Sequence, residues 1–347
     1  MWASKIVSGV GRVLERNMGL RRGEILLIVT DTATSKDWKN QSIEKLEEMV
    51  SRNLLARTVA DIAEKRFRES RIAFQSYPSS GRNAAEPGRL IEESMKLSDV
   101  VLAMTTYSIS HTDARESATR SGARIASMPG VLPDMFFRGG SLSANYKRIA
   151  SETDMFAKII TDTSKVRIRT KSGTNLTFSL EGRRGIADAG ILTRQGSWGN
   201  LPAGEAYGAP IEGTAEGVVV IERGWFPRLK ENVKLLFDGG LLTRVVGKGE
   251  ISIGLEELLQ PSIDTEPYVL RRNLAEFGIG TNPNARRRDN ILEAEKIRGT
   301  VHIAVGDNSH MGGNVKADSH QDFVIPFPTV EADGKTLIDQ GKIVSDR

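Results

Sequence analysis

The sequence predicts an α/β N-terminal domain built on a parallel sheet, followed by an α+β C-terminal domain of mainly antiparallel strands that carries a metal site. Up to about residue 160, short apolar runs alternate with amphipathic segments, the pattern of a parallel sheet covered by helices. Beyond it the pattern becomes one of hairpins. Near the C-terminus, three of the four histidines, His302, His310 and His320, crowd into one short stretch. A chain of 347 residues with 39% hydrophobic content can bury two cores, and the change of pattern divides it into domains 1–160 and 161–347, with the boundary held by residues 158–165.

In the first domain, residues 24–30 read as a strand, 42–65 as a helix, 71–77 as a strand and 89–96 as a helix. Residues 99–103 then form a strand, 113–120 a helix and 124–127 a last strand. The loop after the first strand, Asp31-Thr32-Ala33-Thr34-Ser35, has neither a dinucleotide glycine pattern nor a phosphate-loop lysine, and Gly9-Val10-Gly11 precedes that strand instead of following it. The domain therefore reads as a scaffold and substrate wall. His111 follows the strand at 99–103, on the edge where open α/β sheets bind ligands; it is either a site residue or an exposed histidine near a helix start.

In the second domain, residues 166–171, 175–180, 217–222, 233–238 and 241–246 read as strands, the last two joined by Gly239-Gly240 in a tight turn. The alternating run from Thr300 to Gly306 makes another strand, with His302 on it. In Ser319-His320-Gln321-Asp322-Phe323, an extended chain projects His320 and Asp322 from one face, so an imidazole and a carboxylate can bind one cation together. Glu205 lies in the proline- and glycine-punctuated segment Asn200 to Pro210, a poor helix and a candidate ligand loop. Glu276 sits in an apolar strand between Ala275 and Phe277. A buried carboxylate needs either a metal or a cationic partner, and Arg271, Arg272 and Arg286 to Arg288 are near in sequence.

Composition narrows the chemistry. With no cysteine, disulfides, thiol nucleophiles and thiolate metal sites are excluded, and any metal must take oxygen and nitrogen ligands. No apolar run approaches a membrane span and the first residues lack the long apolar core of a secretory signal, so a cytoplasmic protein without a membrane partner is expected. The net charge of +4 is small, acids are interspersed with the basic clusters and no aromatic stacking pattern accompanies Arg286-Arg287-Arg288, so no nucleic-acid partner is expected.

The ordered set Pro202-Ala203-Gly204-Glu205, Ala275-Glu276-Phe277-Gly278-Ile279-Gly280, Val301-His302-Ile303-Ala304-Val305-Gly306 and Ser319-His320-Gln321-Asp322-Phe323 resembles the aminopeptidase S and aminopeptidase T family of metallo-exopeptidases. Residues 20–31, 105–115 and 122–130 resemble its N-terminal domain. The resemblance implies two neighbouring divalent cations (zinc, cobalt or manganese) held by Glu205, Glu276, His302, His320 and Asp322, a peptide or small-molecule substrate, and a homo-oligomer such as a dimer. The chain departs from the family where a tyrosine is expected seven residues after the first histidine: Ser309 stands there, followed by His310, which could replace the phenol as ligand or proton donor. The dihydroxypyridine ring-cleaving dioxygenases resemble the same framework, with one iron(II) held by two histidines and an aspartate, and His320 and Asp322 look like two of those ligands. Glu205 and His302, which that group lacks, favour the peptidase.

The expected activity is therefore a metal-dependent, aminopeptidase-like hydrolase: a metal-activated water attacks the amide, and Glu205 or Glu276 takes its proton. Its alternative is a mononuclear non-heme iron(II) ring-cleaving dioxygenase.

Overall fold

The computed structural model describes residues 2–344, which form the strands and helices below. In chain order the strands are β1 (Ile25–Thr32), β2 (Arg71–Pro78), β3 (Val100–Ala103), β4 (Arg124–Ser127), β5 (Lys165–Arg169), β6 (Asn175–Ser179), β7 (Ile186–Asp188), β8 (Trp198–Asn200) and β9 (Glu205–Gly208). There follow β10 (Glu216–Ile221), β11 (Val233–Asp238), β12 (Leu241–Val246), β13 (Leu274–Gly280), β14 (Val301–Gly306), β15 (His320–Ile325), β16 (Thr329–Ala332), β17 (Lys335–Asp339) and β18 (Lys342–Ile343). The helices that matter here are α1 (Ala3–Arg12), α2 (Ser35–Asn40), α3 (Ile43–Arg66), α4 (Arg89–Lys96), α5 (Asp113–Arg120) and α6 (Tyr146–Asp162).

One unit comprises Met1–Lys147 and Gly190–Ala203. Its sheet has the order β2-β1-β3-β4-β8 and every described pair in it is parallel. The α/β reading is met, with each strand and helix expected in 24–127 found within a residue or two. Leu27, Val29, Val101, Ala103 and Ile125 of the sheet pack against Ile91 and Met95 of α4 and Ala118 of α5, giving the strands the continuous apolar character that a covered parallel sheet requires. Helix starts follow their capping residues: the Ser42 hydroxyl accepts from the Lys45 N–H at the head of α3, and Thr112 from Arg115 at the head of α5.

The second unit comprises Arg148–Ala189 and Gly204–Arg347. It contains an eight-stranded sheet, order β12-β11-β10-β6-β5-β16-β17-β18, and a five-stranded sheet, order β15-β14-β13-β9-β7, with antiparallel pairing throughout both. A core that includes Val166, Ile168, Leu176, Phe178, Val219 and Leu235 from the larger sheet and Phe277, Ile303 and Phe323 from the smaller one fills the unit. Phe178 and Phe277 meet across it with ring centroids 5.3 Å apart.

The division between the units differs from the expected 160/161. It falls after Lys147, inside α6, because Phe156, Ala157 and Ile160 of that helix belong to the core of the second unit. Residues 190–203, expected in the second domain, return to the first unit, where β8 pairs with β4. Among the described residues no helix is long and apolar enough to cross a membrane.

Candidate metal centre

The five-stranded sheet has two chemically different faces, and the period of two along each strand sorts the residues between them. Paired residues share a face, so the register places His320 and Asp322 of β15 beside Gly306 and Ala304 of β14, His302 beside Gly278 of β13, and Gly280 beside Glu205 of β9, which pairs in turn with Asp188 of β7. The intervening residues Phe277, Ile279, Val301, Ile303, Val305, Phe323 and Ile325 point the other way into the core. A register shift between Leu274 and Glu276 turns Leu274 to the core and Glu276 to the polar face, the re-aiming that a β-bulge provides.

Small residues make room on that face. A Cβ on Gly278 would lie 2.1 Å from His302 Cε1, so the imidazole rests directly over bare backbone. A Cβ on Gly280 would lie 2.2 Å from the Ile297 carbonyl oxygen, and this lets residues 295–297 cross the face and deliver Lys296. The segment expected to be a ligand loop, 200–210, is instead partly strand, and Glu205 opens β9.

Two overlapping groups of donor atoms result, each with its atoms within 4.8 Å of one another: Glu205, Glu276 and His302, and Glu276, His320 and Asp322. His320 Nε2 is 3.2 Å from Asp322 Oδ1 and 3.3 Å from Glu276 Oε2. His302 Nε2 is 3.1 Å from Glu276 Oε1 and 3.4 Å from Glu205 Oε2. The Glu205 Oε2 atom is buried without a hydrogen-bond partner. Imidazole and carboxylate donors converging in this way fit a divalent first-row cation, whose charge would answer that of the acids.

Electrostatics point the same way. Burial acts to lower the His302 pKa, but its hydrogen bond to Glu276 and the charges of Glu205, Glu276 and Glu295 prevail and push it up to about 9. His320 is raised too, burial being overridden by Asp322 and Glu276. Burial would raise Glu276, yet its contacts with the two imidazoles hold it well below the usual carboxylate range. The acids thus gather positive charge, which protons or a metal can supply.

The structure brings together Glu205, Glu276, His302, His320 and Asp322. Neither donor group includes His310, which lies on the 3-10 turn Ser309–Met311 and lines a cavity of about 650 Å³ with Asp154, Arg184, Ile186 and Met311. Ser309, at the expected tyrosine position, donates its hydroxyl to the Asp307 carboxylate. His111 belongs to the other unit, its ring edge-on to Trp198 with centroids 6.2 Å apart, while the Arg115 guanidinium lies 4.0 Å from that indole ring. Two participants went unforeseen. Lys296 Nζ is 2.5 Å from Glu205 Oε1 and 2.9 Å from Glu295 Oε2, all three residues being buried. Glu205 and Glu295 hold the Lys296 pKa above its ordinary value against the effect of burial, and burial raises that of Glu295. In sequence Glu295-Lys296 looks like any charged helix end; only the bare Gly280 across from it could have hinted at burial.

The sequence profile of the 2,5-dihydroxypyridine 5,6-dioxygenase family matches residues 7–345. The 2,5-dihydroxypyridine 5,6-dioxygenase of Pseudomonas putida KT2440 is 22% identical over 259 residues, covering 70% of this chain and 71% of its own length. Among solved structures, the fold is similar to that of 2,5-dihydroxypyridine dioxygenase from Pseudomonas putida KT2440, with a TM-score of 0.72 and 16% identity over 99% of this chain and 98% of the other. It is also similar to wild-type AmpT from Thermus thermophilus, with a TM-score of 0.64 and 16% identity over 99% of this chain and 100% of the other. The profile match overturns the expected metallo-aminopeptidase-like hydrolase, and with it the metalloprotease class; the likeness to AmpT concerns the fold. That expectation rested on the ordered motifs and on Glu205 and His302, taken as residues the dioxygenases lack, and the sequence could not show that the Lys296 ammonium lies against Glu205.

Proposed function

This chain belongs to the 2,5-dihydroxypyridine 5,6-dioxygenase family, and from that premise we propose that it is a ring-cleaving dioxygenase acting on a dihydroxypyridine or a closely related hydroxylated ring, with one iron(II) held by Glu276, His320 and Asp322. The observation that carries the metal assignment is the convergence of those three donors on one face of the sheet. Iron(II) bound there would supply the one-electron chemistry by which ground-state dioxygen reacts with an electron-rich ring.

The chain's own groups do the rest. His320 Nδ1 lies 2.7 Å from the Asp307 carbonyl oxygen; an Nδ1–H donated there leaves Nε2 as the donor toward the metal. Lys296 supplies beside Glu205 a fixed positive charge, which favours one metal over two. His302 Nε2 lies between Glu205 and Glu276, 3.4 and 3.1 Å from their nearest oxygens, beside the three metal donors.

The test is anaerobic loading with iron(II) followed by an oxygen electrode. With 2,5-dihydroxypyridine or a related hydroxylated ring, one O₂ should be consumed per ring opened. Asp322→Ala should stay folded and lose most bound iron together with that uptake. Iron-loaded wild-type protein that consumes no oxygen with any member of a hydroxypyridine and dihydroxybenzene panel would sink the reading, as would full iron affinity in Asp322→Ala.

A further inference from the structure

We propose that Glu212 and Arg183 form a clasp that positions the metal ligand His320 by holding the loop between β14 and β15, an inference that rests on the metal assignment above. The loop leaves β14 at Gly306 and re-enters the sheet at His320, which is the partner of Gly306 across the ladder. Its first residue, Asp307, contributes the carbonyl that faces His320 Nδ1 at 2.7 Å, so the orientation of the imidazole is set by how firmly that peptide is held.

Several contacts hold it. Asp307 N–H donates to the Ser319 carbonyl at 2.9 Å, and its carboxylate accepts from the N–H groups of Ser309 and Ala317. Asn308, fully buried, donates from Nδ2 to Glu212 Oε1 at 2.9 Å and accepts at Oδ1 from the Val315 N–H at 2.8 Å. The same Glu212 oxygen accepts from the Asn314 N–H at 2.8 Å. Arg183 completes the arrangement, donating from one guanidinium nitrogen to Glu212 and from another to the Gly312 carbonyl. Gly313 lies against Asn308 so closely that a Cβ would come within 2.0 Å of its carboxamide carbon. Arg183 and Glu212 flank β7 and β9, whereas the loop belongs to β14 and β15, so the clasp joins segments distant in sequence at one end of the site sheet. The Glu212 carboxylate is a quarter exposed and Arg183 a tenth, so the pair is shielded enough to be worth more than a surface ion pair. A glutamate that touches no donor of the metal group, yet gathers Arg183, Asn308 and Asn314 around the peptide behind His320, acts on the ligand's orientation.

The experiment is a titration of purified, metal-free protein with cobalt(II), whose visible absorption reports coordination number and ligand set without turnover. Wild type, Glu212→Ala, Glu212→Gln, Arg183→Lys and Asp322→Ala are compared, with Arg169→Gln, which breaks the Arg169–Glu331 pair on the other sheet, as a control for general loosening. Glu212→Ala should bind cobalt about 10- to 100-fold more weakly, with an altered spectrum, the usual effect of removing a group that orients a metal ligand. Glu212→Gln, which still accepts from Asn308 and Asn314, should recover part of the loss, and Arg169→Gln should bind as wild type. A folded Glu212→Ala with wild-type affinity and spectrum would overturn the clasp, as would equal weakening in Arg169→Gln. Should Glu212→Ala fail to fold, Arg183→Lys decides by the same criteria, since it loses the planar fork whose two separate nitrogens reach Glu212 and the Gly312 carbonyl. Unchanged binding in Asp322→Ala would instead show that the metal assignment itself is at fault.

Discussion

Gly278 shows how a single residue governs the site. The His302 ring lies where its side chain would be, with His302 Nε2 only 2.2 Å from the position of an added Cβ. Gly278→Ala should therefore push the imidazole away from Glu205 and Glu276 and cost roughly 1–3 kcal/mol, the usual price of overpacking a filled space. Urea denaturation gives the stability and iron titration the site; a variant unchanged in both would show that the ring has another place to go. At this scale the sequence disclosed those donors whose relation is local. His320 and Asp322 share a face because they are two residues apart on a strand, and Glu276 was legible as a carboxylate in apolar surroundings. Lys296 was not, because its burial depends on Gly280 letting a distant segment cross the sheet.

Among the elements, the β11–β12 hairpin offers the sharpest test. Asp238 pairs with Leu241 across Gly239 and Gly240, whose φ values are +56° and +82°, as a two-residue turn with both φ positive requires. The two glycines are not equivalent: nothing lies within 4 Å of a Cβ on Gly239, whereas one on Gly240 would sit 2.3 Å from the Gly213 backbone nitrogen. Gly239→Asn should cost at most about 0.5 kcal/mol, since asparagine tolerates the left-handed region, while Gly240→Ala should cost roughly 1–3 kcal/mol through the clash. Chemical denaturation of the two variants checks this, and equal costs would contradict the turn geometry. Hairpins and covered strands were readable because their signals are local. Strand β9 was not, because Pro202 and Gly204 precede it, Gly208 ends it, and its strand character comes from pairing with β7 and β13. The bulge before Glu276 is likewise invisible in sequence, being a property of two strands in register.

For the whole molecule, the change of sequence pattern near residue 160 marked a change of architecture but not the place where the contacts divide. Helix α6 begins in one unit and buries Phe156 and Ile160 in the other, and β8 rejoins the first sheet from residues 198–200. A fragment of residues 1–160 should consequently expose those apolar side chains and leave β4 without its β8 partner, so it should aggregate or melt without cooperativity. Size-exclusion chromatography and calorimetry check this, and a monodisperse fragment with a sharp transition would refute it. The two-faced sheet has a further consequence for the enzyme as a population. A slip of one residue between β14 and β15 would move His320 and Asp322 into the oily interior and bring Phe323 out, so the same error that dismantles the candidate metal site also dismantles the core. Misregistered molecules cannot persist as well-folded but inactive protein.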